Sequence, residues 1–157
     1  MTVKVFAFTD GACSGNPGVG GWGVSLRAYR NGDLIKKKDI KGASERTTNN
    51  RMELQAAIEA LKALRSPSEI IVVTDSKYLQ DGITKWLGRW ERNGWKTSAA
   101  ADVKNKDLWQ ELKRVESAHR VVWEWTKGHA DNPGNKRADQ LARQAIAEFK
   151  KTRPRRD

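Results

Sequence analysis

The chain opens with VKVFAFTD, residues 3–10, in which apolar and polar positions alternate and the run ends on an acid. This predicts a strand that sends Phe6, Phe8 and Asp10 to one face. The Gly-rich stretch that follows, GACSGNPGVGG, reads as a flexible turn region. GWGVSLRAY and LIKKKDIKG then read as two further strands joined at Asn31-Gly32, a strong hairpin signal, so the first part of the chain is an antiparallel meander. Three consecutive lysines, Lys36 to Lys38, mark the outer strand and discourage edge pairing.

Leu54, Ala57, Ile58, Leu61 and Leu64 recur at helical spacing, with Asn50 as the expected cap and Ser66-Pro67-Ser68 as the stop. EIIVVTD follows, with Ile70 to Val73 apolar without alternation, as expected of a strand covered on both faces, and Asp75 at its end. A strand, a helix and another strand in this order predict a right-handed crossover with the two strands parallel. A helix over 76–92, a long loop ending at a cap near Asn105, a helix over 106–117, a strand over 120–126 and a helix over about 135–149 complete an α/β pattern. Ala138, Leu141, Ala142, Ile146 and Phe149 are the predicted packing face of the last helix. Trp22, Trp86, Trp90, Trp109, Trp123 and Trp125 are assigned to packing, and Trp95, beyond Asn93-Gly94, to the surface.

One hundred and fifty-seven residues suit one domain with its own hydrophobic core, here 1–150, followed by a flexible basic tail over 151–157. Thirty Lys and Arg against nineteen Asp and Glu give a net charge of +11, which favours a polyanionic partner. A single cysteine, Cys13, excludes an internal disulfide and suits a reducing, cytoplasmic setting. The start of the chain has no signal-peptide pattern and no stretch is apolar enough to cross a membrane. Nothing patterns as a coiled-coil heptad, so the expected state is a monomer without an obligate protein partner.

Against this basic background four acids stand at element ends. Asp10 and Asp75 each close a predicted strand, while Glu53 and Asp139 each fall in the first turn or two of a predicted helix. Ligands gather outside the carboxyl ends of parallel strands. Four carboxylates gathered there would repel one another unless cations were bound, and oxygen-only ligands suit Mg²⁺ or Mn²⁺. Taken singly, each acid also has an ordinary use. Glu53 can complete a capping box with Asn50, Asp139 can favour a helix dipole, Asp75 can cap a helix, and Asp10 can organise a turn. His129, in the polar loop TKGHADNPG, can move a proton near neutral pH or be an ordinary surface side chain; His119 reads as a helix-end or solvated residue.

The segments FTDGACSGNPG, TTNNRMELQAAIEAL, TDSKYLQDGITKW, GWKT, VKNKDLW and WEWTKGHADNPGNKRADQLA, in this order over nearly the whole chain, resemble the type 1 ribonuclease H family, particularly its bacterial members. The resemblance implies a ribonuclease H-like fold with a five-stranded mixed sheet. It also implies an endonuclease that cuts the RNA strand of RNA/DNA hybrids with two Mg²⁺ ions, or Mn²⁺ in their place, leaving 5′-phosphate and 3′-hydroxyl ends. Asp10, Glu53, Asp75 and Asp139 match the family's acidic, metal-binding quartet and His129 its catalytic loop histidine. Cys13, Asn16, Asn49 and Lys77 match positions beside the substrate strands, and Thr48 and Asn105 part of a pocket for a DNA phosphate. Lys85, Arg89 and Trp95 fall in the family's basic handle, at about 83–102. Lys77 stands where many relatives carry glutamine, and Gly134 and Lys136 where relatives often carry acids. The alternatives are another metal-dependent nuclease of the same fold and a non-catalytic hybrid-binding domain.

Overall fold

The structure is a computed structural model, described here for residues 3–127 and 132–152. Five strands form one sheet in the order β3-β2-β1-β4-β5: β1 (Val3–Gly15), β2 (Gly18–Arg30), β3 (Asp33–Thr47), β4 (Glu69–Thr74) and β5 (Arg120–Trp125). β1, β2 and β3 pair antiparallel, and β4 lies parallel to both β1 and β5. The mixed sheet predicted from the chain is therefore present. One expectation fails: GACSG is not a flexible turn, because β1 runs on to Gly15 and pairs with β2 as far as Gly15↔Gly18. Glycine and alanine there permit close helix packing rather than irregular backbone.

Helix α1 (Asn49–Lys62) crosses one face of the sheet and buries Leu54, Ala57, Ile58 and Leu61 as its periodicity predicts. Each buried leucine or isoleucine of this kind contributes about 1.5–3 kcal/mol. The cap is Thr48 rather than Asn50: the Thr48 hydroxyl accepts the Arg51 N–H at 3.3 Å. Glu53 is thus the fifth helical residue, and the capping-box reading of it does not hold.

The helical segment after β4 is broken into α2 (Lys77–Asp81), a π-helical turn (Gly82–Trp86) and α3 (Leu87–Arg92). Helix α4 (Lys106–Glu116) packs beside α1 and buries Trp109 completely. The opposite face is covered by α5 (Pro133–Thr152), which lies over β1, β2 and β3. This helix outlasts its predicted end, so residues 151 and 152 of the expected tail are helical; residues 153–157 lie outside the described residues.

Three packing expectations change. Because α5 crosses toward β3, Ile71 of β4 is only half-buried rather than covered on both faces. Trp125, on the edge strand β5, is 40 % exposed and not a packing residue. Trp95 is half-buried against Trp90, their ring centroids 6.1 Å apart, so it is not the free surface tryptophan its loop position suggested. His119 is neither solvated nor a dipole partner alone: its Nδ1 accepts the Ser68 N–H at 3.1 Å, tying the end of α4 to the approach of β4.

Candidate active site

The parallel register of β1 and β4 ends at Phe8↔Val73, and Asp10 and Asp75 each stand two residues beyond that pair. There the strands part: β1 continues beside β2, with Asp10 opposite Gly23, while β4 stops at Thr74. The gap between diverging strands is the usual place for a ligand in an α/β sheet.

Two glycines let helices reach this gap. A side chain on Gly11 would come within 2.5 Å of the Met52 and Glu53 backbone, so α1 rests directly on β1 at that point. The Gly11 N–H is then shared between the two acids, donating to Glu53 Oε1 at 2.5 Å and to Asp10 Oδ1 at 3.0 Å. On the other face a side chain on Gly23 would meet the Ala138 carbonyl oxygen at 2.4 Å, so α5 sits on β2 directly opposite Asp10 and brings Asp139, the next residue, to the cleft.

Carboxylate oxygens of Asp10, Glu53 and Asp75 lie within 4.8 Å of one another. Asp139 lines the same cleft, about 460 Å³ in volume, but one of its oxygens is engaged by Arg143. Burial pushes the Asp10 carboxyl up to about 7, with the Asp75 and Asp139 charges adding to it against a lowering hydrogen bond with Glu53. Glu53, 4 % exposed, is raised well above the ordinary glutamate range, first by burial and then by the Asp10 charge. Asp75 is raised by burial and by Asp139. Glu53 Oε2 is buried with no hydrogen-bond partner among the described residues. An orphaned buried oxygen among three mutually repelling carboxylates is what an all-oxygen site for a hard divalent cation looks like from the protein side.

The other expected residues divide into two groups. Asn49 and Lys77 line the same cleft, and the Asn49 N–H donates to Asn16 Oδ1 at 3.3 Å, tying the β1–β2 turn to the start of α1. Thr48 caps α1 at the cleft's edge. Asn105, in the left-handed region at φ 61°, does not cap α4 with its side chain; its Oδ1 accepts from Arg51 at 3.3 Å and its Nδ2 donates to the Tyr78 hydroxyl at 3.0 Å. Cys13 is half-buried, its thiol at 3.3 Å from the Thr47 carbonyl and 3.5 Å from that of Gly18, and burial raises its pKa. None of Lys85, Arg89 and Trp95 lines the cleft. Lys85 pairs with Asp81 at 3.4 Å, Arg89 is exposed, and both lie on the helical arm with Trp95. His129 lies outside the described residues.

Sequence reasoning missed Arg51 and Tyr78. Arg51 binds Asp107 through both guanidinium ends, at 2.9 and 2.6 Å, and Tyr78 lines the cleft while accepting hydrogen bonds from Asn105 and, at 2.9 Å, Trp109. The only available signal was position, since Arg51 adjoins the TTNN run and Tyr78 follows TDSK.

A sequence model of the RNase H family matches residues 2–147. Among relatives, a ribonuclease H of Ruegeria sp. (strain TM1040) is 58 % identical over 146 residues, 93 % of each chain. A ribonuclease H of Francisella philomiragia is likewise 58 % identical with the same coverage of both chains. Among solved structures, LC9-RNase H1, a type 1 RNase H with the type 2 active-site motif, superposes with a TM-score of 0.83 at 35 % identity, covering 94 % of this chain and 74 % of that one. LC11-RNase H1, solved in complex with an RNA/DNA hybrid, shares the fold with a TM-score of 0.63 at 22 % identity, covering 92 % of this chain and 98 % of that one.

Proposed function

The chain belongs to the ribonuclease H family, and from that premise we propose that Asp10, Glu53, Asp75 and Asp139 form its metal centre, with which it hydrolyses the RNA strand of RNA/DNA hybrids. It is a metal-dependent endoribonuclease. The observation that supports this site most strongly is the convergence of three carboxylates within 4.8 Å around a buried Glu53 oxygen that has no hydrogen-bond partner among the described residues. Two Mg²⁺ ions, or Mn²⁺ in their place, would supply an activated water and stabilise the leaving 3′-oxygen.

The chain's own groups do the rest. The Gly11 N–H holds the Asp10 and Glu53 carboxylates in fixed directions. Asp75 and Asp139 complete the negative wall of the cleft. Asn16, Thr48, Asn49 and Asn105, with backbone N–H groups nearby, are short enough to meet 2′-hydroxyls and phosphates, and the 2′-hydroxyl separates RNA from DNA. Lys77 contributes a phosphate or ribose contact, and Cys13 packs beside the same strands. His129 takes or returns a proton. Lys85, Arg89 and the Trp95 edge bear on the DNA strand from the arm at about 83–102, within one catalytic unit spanning 1–150. The products carry 5′-phosphate and 3′-hydroxyl ends. The protein works as a monomer in the cytoplasm, without an obligate protein partner; no helix among the described residues is long and apolar enough to cross a membrane.

One sequence labelled on either strand and presented as RNA/DNA, RNA/RNA and DNA/DNA duplexes, with Mg²⁺ and with EDTA, tests the reading on a denaturing gel. Metal-dependent cutting of only the RNA strand of the hybrid, abolished in Asp10→Asn, is the expected result. Hybrid binding without cutting would mark a non-catalytic binding domain, and cutting of duplex DNA another nuclease of the same fold.

A further inference from the structure

On the α5 face of the sheet, further down β1 from the acids, is a second cleft of about 560 Å³. Its walls are aromatic. Phe6 and Phe8 lie nearly parallel with centroids 6.1 Å apart, and Tyr29 of β2 meets Phe6 edge-on at 5.7 Å. Phe8 is closed off by the start of α5, where a side chain on Gly134 would come within 2.3 Å of its ring; Phe6 and Tyr29 remain half-exposed. The row continues through Ile71, paired with Phe6, to Val122, paired with Ile71 and 47 % exposed.

At the cleft itself the charges favour an anion. Lys4 lines it and, among the described residues, no acid does; the acids of this face are Asp39, held by Arg137, and Glu69 and Glu124, which stand on β4 and β5 beside Ile71 and Val122. The Arg27 guanidinium stands 6.0 Å from the Phe8 ring centroid, and Lys37 faces Arg27 across the β2–β3 pair, so both cations share the side of the sheet that carries Tyr29. A second copy of this chain would set the same lysines and arginine near their own images, whereas a nucleic acid offers phosphates to the cations and flat bases to the rings. Phe6 and Asp10 are four residues apart on one strand and face, about 13 Å at the usual strand rise, so a strand leaving the acidic cleft comes within reach.

We infer that the Phe6–Tyr29 cleft is a second nucleic-acid site, which takes a single-stranded tail flanking the hybrid, lodges one of its bases in the corner between Tyr29 and Phe6, stacked on one ring and edge-on to the other, and holds the adjoining phosphate at Lys4. Stacking of this kind tolerates any base. The site therefore adds affinity for tailed substrates without adding sequence preference, and it stands apart from the chemistry at the acids.

The test compares binding of fluorescein-labelled blunt hybrid, the same hybrid with a single-stranded oligothymidine or oligouridine tail, and the tail alone, by anisotropy in EDTA. The tail tightens binding to the wild type, and Tyr29→Leu removes that gain, a loss of about five-fold or more for the tailed hybrid. Lys4→Glu, at an exposed position, lowers the same gain and its salt dependence. Blunt-hybrid binding and cleavage stay unchanged in both variants. A 5-bromouridine tail crosslinks to Phe6 or Tyr29 on irradiation. Equal affinity for tailed and blunt hybrids overturns the inference, as do losses that are equal on both substrates or crosslinks confined to the acidic cleft and the helical arm. A dimer in sedimentation that Tyr29→Leu dissolves would assign the face to a second copy instead. If the wild type fails to cut the blunt hybrid, the catalytic reading falls while these EDTA measurements still judge the tail site.

Discussion

Replacing Asp10 by asparagine should stabilise the metal-free protein, and by an amount that depends on pH. Asp10 carries a folded-state pKa of about 7 against an ordinary value of 3.8, chiefly because it is buried and faces Asp75 and Asp139. A raised carboxyl pKa means that the folded chain holds a proton the unfolded chain has released. Stability is therefore unaffected by this group below about pH 4, falls as pH rises through the interval, and is lowest above about pH 7. Each unit between the two pKa values is worth about 1.4 kcal/mol, which gives a ceiling of about 4 kcal/mol. Water entering the cleft and small shifts of Asp75 reduce it to roughly 2–4 kcal/mol. Asparagine keeps the shape and the hydrogen bond but not the charge, and it also relieves Glu53.

For a chain of this size roughly 2–4 kcal/mol corresponds to roughly 5–15 °C in Tm. Thermal melts of the wild type and Asp10→Asn in EDTA between pH 4.5 and 8.5 should show curves that nearly coincide at the acid end and separate toward the alkaline end, the variant melting higher. Adding Mg²⁺ should raise the wild type more than the variant and close the gap, because the cation binds the set of charges that the folded state otherwise leaves in repulsion. A gap that is absent, that has the opposite sign in EDTA, or that is the same at pH 4.5 and 8.5 would refute the reasoning.

Gly11→Ala should destabilise by about 2–4 kcal/mol and reduce cleavage more than the lost stability explains, since the new methyl pushes α1 and Glu53 off β1; urea melts beside single-turnover rates separate the two effects. Arg137→Met leaves the half-buried Asp39, whose Oδ1 is fully enclosed, without its 2.7 Å partner. Burial pulls the Asp39 carboxyl up, but hydrogen bonds from Arg137 and Ser25 outweigh it and leave its pKa lowered. The contribution is thus present above about pH 4 and lost as pH falls further, and denaturant curves should show a cost of about 1–3 kcal/mol at pH 7 that shrinks at pH 3. Arg51→Ala should raise KM several-fold with a smaller change in kcat, because it frees Asn105 without touching the acids; steady-state kinetics on a hybrid would show an equal fall in kcat if the pair held the catalytic centre instead. Lys77→Gln should lower the salt dependence of hybrid binding by about one counterion, read as the slope of log affinity against log salt, and an unchanged slope would remove Lys77 from the phosphate contacts.

Much of this protein is written locally in its chain. Alternation in VKVFAFTD, the helical spacing from Leu54 to Leu61, the Asn31-Gly32 turn and the lysines of the outer strand each depend on residues a few positions apart, and each appears in the structure as an element of the expected kind. Asp75 is legible for the same reason, as an acid just past the end of β4, and Asp10 as the acid that closes an alternating run, although β1 itself continues past it to Gly15. The quoted motifs added the family and the remaining candidate residues.

What the chain did not disclose depends on contacts between distant segments. The cap moved from Asn50 to Thr48, and the Glu53 carboxylate found the Gly11 N–H forty-two positions away rather than its own helix start. The Arg51–Asp107 pair, the Tyr78 hydroxyl shared by Asn105 and Trp109, and the packing of Trp95 likewise join parts of the chain with no common periodicity. The open side of β4 follows from the path of α5, which crosses toward β3 because glycines 21 and 23 of β2 let its backbone settle there, while Trp125 is exposed on the other face, at the end of the edge strand β5. Hydrophobic period states which face of an element seeks cover; which neighbour supplies it, and which polar atoms are left facing one another, are decided only when the layers meet at van der Waals distance.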